Sequence, residues 1–270
     1  MMQIDAFGSS QTGNVREENQ DAIHAHISEA DFGFLYAVAD GMGGYEHGGI
    51  ASALALETFV ATYSALTGND PAAKLKRAVQ DANLRVNQEA TRLNARMGTT
   101  LTAVHLAGNT VRIAHVGDSR AYLFRNGKPL LLTNDHTTVG EMVRAKLLSP
   151  DKVRQHYNRS ALSRCLGMEL FIQPEISAYT IQQGDTLLVC SDGLWSSLED
   201  DQLMQLACTG ENAQTAVDTL IEAALANGSD DNLSAWVIRV QEAPEPAIEK
   251  NRRWFGLPGL LKHGKGNAAL

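Results

Sequence analysis

Between Thr99 and Arg125 the chain reads as three strands in succession, and this block constrains the fold more than any other stretch. TTLTAVHLA (99–107), TVRIAHVG (110–117) and RAYLFR (120–125) are short and rich in β-branched, aromatic and other apolar residues. Gly108-Asn109 suits a two-residue hairpin turn, and Asn126-Gly127 predicts another. Parallel strands need a long crossover between them, so strands joined by such turns argue for antiparallel pairing.

The flanking segments carry helical spacing. Ile50, Leu54, Phe59, Val60 and Tyr63 mark one helix, and Leu75, Val79, Ala82, Val86 and Leu93 a second. Asn69-Asp70-Pro71 supplies the second with a cap and a proline start. Before this pair, FGFLYAVAD (32–40) reads as a strand running into Gly41-Met42-Gly43-Gly44, with weaker strands at 3–9 and 21–28. After the block, 137–167 is polar and mixed, with a short helix expected around 138–147. Strands at 172–181 and 186–191, helices near 199–207 and 212–226, and a strand at 233–240 complete the body. Hairpin-linked strands separated by helix pairs predict an α+β layered fold with antiparallel sheets.

Composition narrows the function. A chain of 270 residues, 44% hydrophobic, buries a core without disulfides. Its three cysteines show no CxxC or Cys/His spacing, which predicts a reducing compartment. MMQIDAFGSS does not read as a signal peptide, and no apolar run is long enough to span a bilayer, so a cytoplasmic protein is expected. The formal net charge of −8 argues against a general nucleic-acid binder. Five basic residues lie from Lys250 onward with no acid among them, leaving −13 for residues 1–249. QEAPEPAIEK (241–250) reads as a linker, which divides the chain into a body at 1–240 and a tail at 241–270. Trp254, Phe255, Leu257, Leu260 and Leu261 beside Arg252, Arg253 and Lys262 suit docking on a partner or an anionic membrane surface, as well as a disordered end.

The residues that point to chemistry are aspartates at element ends beside polar or glycine residues. Asp21 closes REENQD, Asp40 sits in ADGMGG, Asp192 in SDGL and Asp231 in GSDDNLS. Each alone is ordinarily a turn residue. A carboxylate closing an apolar strand is costly unless it is paired or holds a cation.

Together with Arg16-x-x-Asn19-Gln20-Asp21, Gly98-Thr99-Thr100, Gly117-Asp118-Ser119-Arg120 and Asp135-His136, these aspartates give the sequence a resemblance to the metal-dependent Ser/Thr protein phosphatases of the PPM, or type-2C, family, compact bacterial type. The resemblance spans about residues 8–240. It implies a four-layer α-β-β-α sandwich, with 137–167 as a flap near the site. It implies two ions, Mn2+ or Mg2+, bridged by Asp40, with the Gly41 carbonyl on one, Asp192 and Asp231 on the other, and Asp21 a ligand or water-holder beside them. It implies that Asp135, with Asp192, holds a third, looser ion, that Arg16 grips the substrate phosphate, and that Asp118 and Arg120 are structural. The implied substrates are phosphorylated proteins, including a Ser/Thr kinase or its targets.

Where many eukaryotic members carry a histidine after the Asp-Gly pair, this chain has Met42, which cannot donate a proton. A metal-bound water is then the first choice for general acid, with His47 and His136 behind it. Arg144, Lys146, Arg154, Arg159 and Arg164 make the flap basic, either as a solvated face or as a substrate-selecting loop. For Arg16 the competing reading is a surface ion pair with Glu17 or Glu18. Neither Cys followed six positions later by Arg nor GxxxxGK[ST] occurs, which excludes cysteine-dependent phosphatases and P-loop enzymes. The alternative to an enzyme is a catalytically silent phosphoprotein-binding module, whose signature would be a lost metal aspartate; Asp21, Asp40, Asp192 and Asp231 are all present.

Overall fold

A computed structural model describes residues 2–28, 33–43 and 47–243. The tail residues 244–270, with the proposed docking segment at 252–261, lie outside the described residues, as does Gly44. In chain order the elements are β1 (Gln3–Gln11), β2 (Asp21–Ser28), β3 (Gly33–Met42), α1 (His47–Ala65), α2 (Pro71–Leu93), β4 (Gly98–Thr99), β5 (Leu101–Ala107), β6 (Thr110–Val116), β7 (Arg120–Arg125) and β8 (Lys128–Leu131). There follow α3 (Thr138–Arg144), β9 (Glu175–Thr180), β10 (Thr186–Cys190), α4 (Asp192–Trp195), α5 (Asp200–Cys208), α6 (Ala213–Ala226) and β11 (Leu233–Glu242).

The strands form two antiparallel sheets, in the orders β1-β11-β10-β7-β8 and β2-β3-β5-β6-β9, with the short β4 paired antiparallel to the end of β3. Side-chain alternation builds three cores. On β3, Leu35, Ala37 and Ala39 face α1 and α2, while Tyr36 and Val38 face the other sheet. On β10, Leu188 and Cys190 pack under α5 and α6, while Leu187 and Val189 enter the space between the sheets. The result is the expected α-β-β-α sandwich, with helix pairs outside and an apolar seam in the middle.

Local signals explain most boundaries. Asp70 accepts from Ala72 N and Pro71 takes the first helical turn, so α2 starts where the cap predicts. Asn126 and Gly127 adopt φ 53° and 68°, the left-handed pair that a type I′ hairpin requires between β7 and β8. β8, which sequence reading did not separate, is four residues long and mostly exposed. The strand expected from 172 starts at Glu175, because Pro174 lacks the N–H that a ladder needs.

Both sheets present to one end of the molecule the termini that carry the sequence motifs. Asp21 pairs with Asp40 across β2 and β3, Leu101 with Val116 across β5 and β6, and Cys190 with both Arg120 and Ala235 in the other sheet. Antiparallel register thus gathers stretches far apart in the chain at a single sandwich end.

Candidate metal centre

At that end lies a cavity of about 370 Å3, lined among others by Arg16, Asp40, Gly41, Asp118, Asp192 and Asp231. Asp40 and Gly41 are near the end of β3, Asp118 lies between β6 and β7, Asp192 opens α4, and Asp231 precedes β11.

The sequence motifs around these aspartates hold the backbone that carries them. Asp40 N donates to Thr100 Oγ1 at 2.9 Å, and the Asp40 carbonyl accepts from Thr100 N and Thr99 Oγ1. Thr100 Oγ1 also meets Ser119 Oγ at 2.7 Å, which links the Gly-Thr-Thr stretch to the Gly-Asp-Ser turn. A Cβ on Gly41 would sit 2.0 Å from the Gly48 carbonyl, so only glycine allows α1 to start against β3. A Cβ on Gly193 would sit 2.2 Å from the Asn232 carbonyl, so glycine lets α4 press against the Asp231 turn.

Asn232 does more than shape that turn. Buried, it accepts from Gln20 N at 2.9 Å and donates to the carbonyls of Thr12 and Glu18. One amide thereby fastens the loop bearing Arg16 to the residue after Asp231. Arg16 itself donates to Asp231 Oδ2 at 2.8 Å and to the Asp230 carbonyl, not to Glu17 or Glu18, and about half of its side chain faces solvent.

The carboxyl groups are electrostatically strained. Burial, followed by repulsion from Asp21, Asp192 and Asp118, pushes Asp40 well above the usual carboxylate range. Burial, then Asp192 and Asp135, does the same to Asp118. Asp192 is pushed up to about 6, by burial and then by Asp231. Asp21, behind the cavity, is pushed up to about 7, mainly by burial, although Ser191 Oγ donates to its Oδ2 at 2.7 Å and works the other way. A cation in the cavity relieves each of these penalties.

The residues fit hard divalent ions. The cavity lining contains, among the described residues, no histidine or cysteine. Among the described residues no three side chains close on a common point at ligand distance. They ring the space, which suits ions that keep several waters and take one or two carboxylates each.

Two expectations are exchanged. Asp135 does not line the cavity. It is gripped by Arg120, whose Nε and Nη2 donate to its two carboxylate oxygens at 2.9 and 2.7 Å. Asp118, expected to be structural, faces the cavity instead, with its carbonyl held by Trp195 Nε1 at 2.9 Å. Arg120 is structural as expected, lying 3.5 Å from the Trp195 ring centroid.

Met42 lines the cavity. His136 does not; its Nδ1 accepts from Gly117 N, and burial, then His115, Arg164 and Arg144, hold it down at about 3, a neutral packing residue. His47 borders a neighbouring pocket with Arg16 and Gln20. Of the flap, Ser160 and Leu162 reach the cavity wall. Arg144, Arg154 and Arg164 fasten the segment to the body, at the Asp135 carbonyl, at Asp200 with the Trp195 carbonyl, and at the Gln173 carbonyl.

The fold and the ring of aspartates define the class, and the family model described as protein phosphatase 2C matches residues 5–233. This chain belongs to that family. It is 36% identical over 234 residues to the serine/threonine protein phosphatase PstP of Mycobacterium tuberculosis, covering 86% of this chain and 44% of PstP. It thus spans less than half the length of that relative. Identity to the serine/threonine phosphatase Stp of Listeria monocytogenes is 31% over 233 residues, covering 84% of this chain and 92% of Stp. The crystal structure of the catalytic domain of PstP in complex with two manganese ions superposes with a TM-score of 0.78 at 32% identity, covering 89% of this chain and 99% of that domain. No helix among the described residues is long and apolar enough to cross a membrane.

Proposed function

We propose that this chain hydrolyses phosphoserine and phosphothreonine esters in proteins, reversing a Ser/Thr kinase, with a pair of Mn2+ or Mg2+ ions as cofactor. The observation that carries the reading is the meeting of Asp40, Asp118, Asp192 and Asp231 at one cavity with an arginine on its rim. The named activities of PstP and Stp, and the two manganese ions of the PstP catalytic domain, support it.

Asp40 would bridge the two ions, with the Gly41 carbonyl on one, Asp192 and Asp231 on the other, and Asp21 held behind them by Ser191. Asp118, beside Asp192, would take the third-ion role that the resemblance gave to Asp135. When bound, such a pair of cations supplies acidified water and neutralises charge on phosphoryl oxygens. The chain's own contribution is geometry. Arg16 presents a planar fork to two phosphate oxygens, and a phosphate dianion competes with Asp231 for that fork. Met42 has no proton to give and His136 is neutral and outside the cavity, which leaves a metal-bound water as first choice to protonate the leaving alkoxide and His47, in the neighbouring pocket with Arg16, behind it.

The test is hydrolysis of para-nitrophenyl phosphate and of a phosphothreonine peptide, with Mn2+, with Mg2+ and with chelator, beside calorimetric titration of Mn2+. Turnover with metal, none with chelator, and at least two Mn2+ per chain are expected. Metal binding without turnover of either substrate would leave the silent phosphoprotein-binding module.

A further inference from the structure

A second cavity of about 350 Å3 adjoins the metal cavity, sharing Met42, Ser160 and Leu162 with it and bordered beyond them by Arg96, Arg164 and Glu169. Arg96 stands apart from most arginines of the described residues. Arg16, Arg77, Arg85, Arg92, Arg120 and Arg125 are held in ion pairs. Arg96 is exposed and its side chain makes no hydrogen bond or ion pair among the described residues. An unpaired guanidinium next to a site for anionic esters, on a body carrying −13, is a local reversal of the surface charge.

We infer that this second cavity binds the polypeptide flanking the phosphorylated residue, and that Arg96 selects an anionic side chain there, a carboxylate or a second phosphate. The inference rests on the phosphatase reading and adds to it a residue that determines specificity. Continuity with the metal cavity gives the occupant: a substrate whose phosphoryl group is at Asp40 must run out past Met42 or across the rim. Register gives the spacing. Gly98 pairs with Met42, and a Cβ on Gly43 would come 3.0 Å from the Arg96 carbonyl. Arg96 therefore lies beside a position three residues beyond Asp40, about 10 Å along the strand at about 3.3 Å per residue. An extended substrate has the same rise, so its side chain about three residues from the phosphorylated one meets Arg96. Glu169, on the same cavity, favours the opposite assignment, a cationic side chain, and that assignment is an outcome of the test.

The experiment uses peptides with a central phosphothreonine and Glu, phosphothreonine, Ala or Lys three residues to either side. For wild type, Arg96→Ala and Arg96→Glu, kcat/KM for each peptide is divided by that for para-nitrophenyl phosphate, which is too short to meet Arg96. On one side of the phosphothreonine, wild type should favour Glu or phosphothreonine over Ala by about threefold to fivefold, the upper range for an exposed ion pair. The preference should vanish in Arg96→Ala, turn toward Lys in Arg96→Glu, and fade as salt rises. A response to phosphothreonine without one to Glu identifies a second phosphate as the ligand. A wild-type preference for Lys, no preference on either side, or one unchanged by Arg96→Ala overturns the inference. If neither para-nitrophenyl phosphate nor any peptide is hydrolysed, the phosphatase reading fails separately. Fluorescence anisotropy with the same peptides then decides the cavity: an Arg96-dependent preference in affinity supports it, and equal affinities sink it.

Discussion

Asp118 and Asp135 flank the same β7–β8 hairpin and are almost equally buried, yet their surroundings are opposite. Asp135 receives two hydrogen bonds from the Arg120 guanidinium, and Arg144 donates to its carbonyl. Asp118 faces Asp192 across the cavity and is pushed well above the carboxylate range. The first arrangement is a satisfied ion pair that locks the base of the flap. The second is a buried carboxyl group without an ion-pair partner, whose ionised form is tolerable where a cation binds. Burial alone does not mark a functional acid; burial without a positive partner does.

The comparison breaks most visibly through stability. Asp135→Asn leaves Arg120 buried and uncompensated, so the protein should lose about 3–5 kcal/mol in urea unfolding, the usual cost of breaking a buried pair. Its Mn2+ titration should stay near wild type. Asp118→Asn should do the reverse, keeping or raising the stability of chelated protein while weakening Mn2+ binding. Equal stability losses in the two variants would erase the distinction.

Next in size, Asp40→Asn removes the charge proposed to bridge the ions and should lower kcat by roughly a hundredfold or more at saturating Mn2+. Near-normal turnover would refute the bridging role. Arg16→Ala should act mainly on KM, raising it about tenfold, since a charge-assisted phosphate contact is lost while the metal ligands remain. Because Arg16 also engages Asp231, its removal should leave Mn2+ affinity equal or higher; a fall in affinity without a KM change would contradict the assignment.

The smallest effect is on pH dependence in chelator. Asp21 and Asp192 hold protons up to about 7 and about 6 in the folded protein, whereas unfolded aspartates ionise near 4. Their contribution to stability is whole below about pH 4 and is lost as pH rises through those folded values. His136, held down at about 3, works oppositely, because the unfolded chain takes up its proton first, near 6.5. The two partly cancel between about pH 4 and 6.5, which is why the net slope is modest. Asp21→Asn should therefore flatten the fall in urea midpoint between about pH 6.5 and 8; an unchanged fall would show that Asp21 titrates normally.

Most of the fold was legible because it rests on local signals: the Asp70-Pro71 cap, the Asn126-Gly127 turn and the alternation along β3. The cavity acids Asp40, Asp192 and Asp231 were legible because Asp40 and Asp192 each precede a glycine that allows close backbone approach, and Asp231 precedes an asparagine whose amide ties neighbouring backbone. The exchange of Asp118 for Asp135 was not legible. Both are aspartates near polar turns, and only the crossing of Arg120 to Asp135 through the β7–β8 hairpin decides between them. β8 was hidden by its exposure and shortness, and α4 by being a single turn. Arg96 gave no signal at all, since its isolation is a property of what does not surround it.

Pairing between β1 and β11 matches Gln11 to Leu233, and Asn232 ties Thr12, Glu18 and Gln20 to the same junction. The site is thus closed by contacts between residues more than two hundred positions apart. During synthesis, a ribosome-bound chain that stops short of residue 231 has neither Asp231 nor Asn232, the anchor for the Arg16 loop. The proposed activity should therefore switch on only after residues 231 and 232, with β11 behind them, have left the exit tunnel. Such long-range closure also predicts slow final assembly relative to formation of the central hairpins.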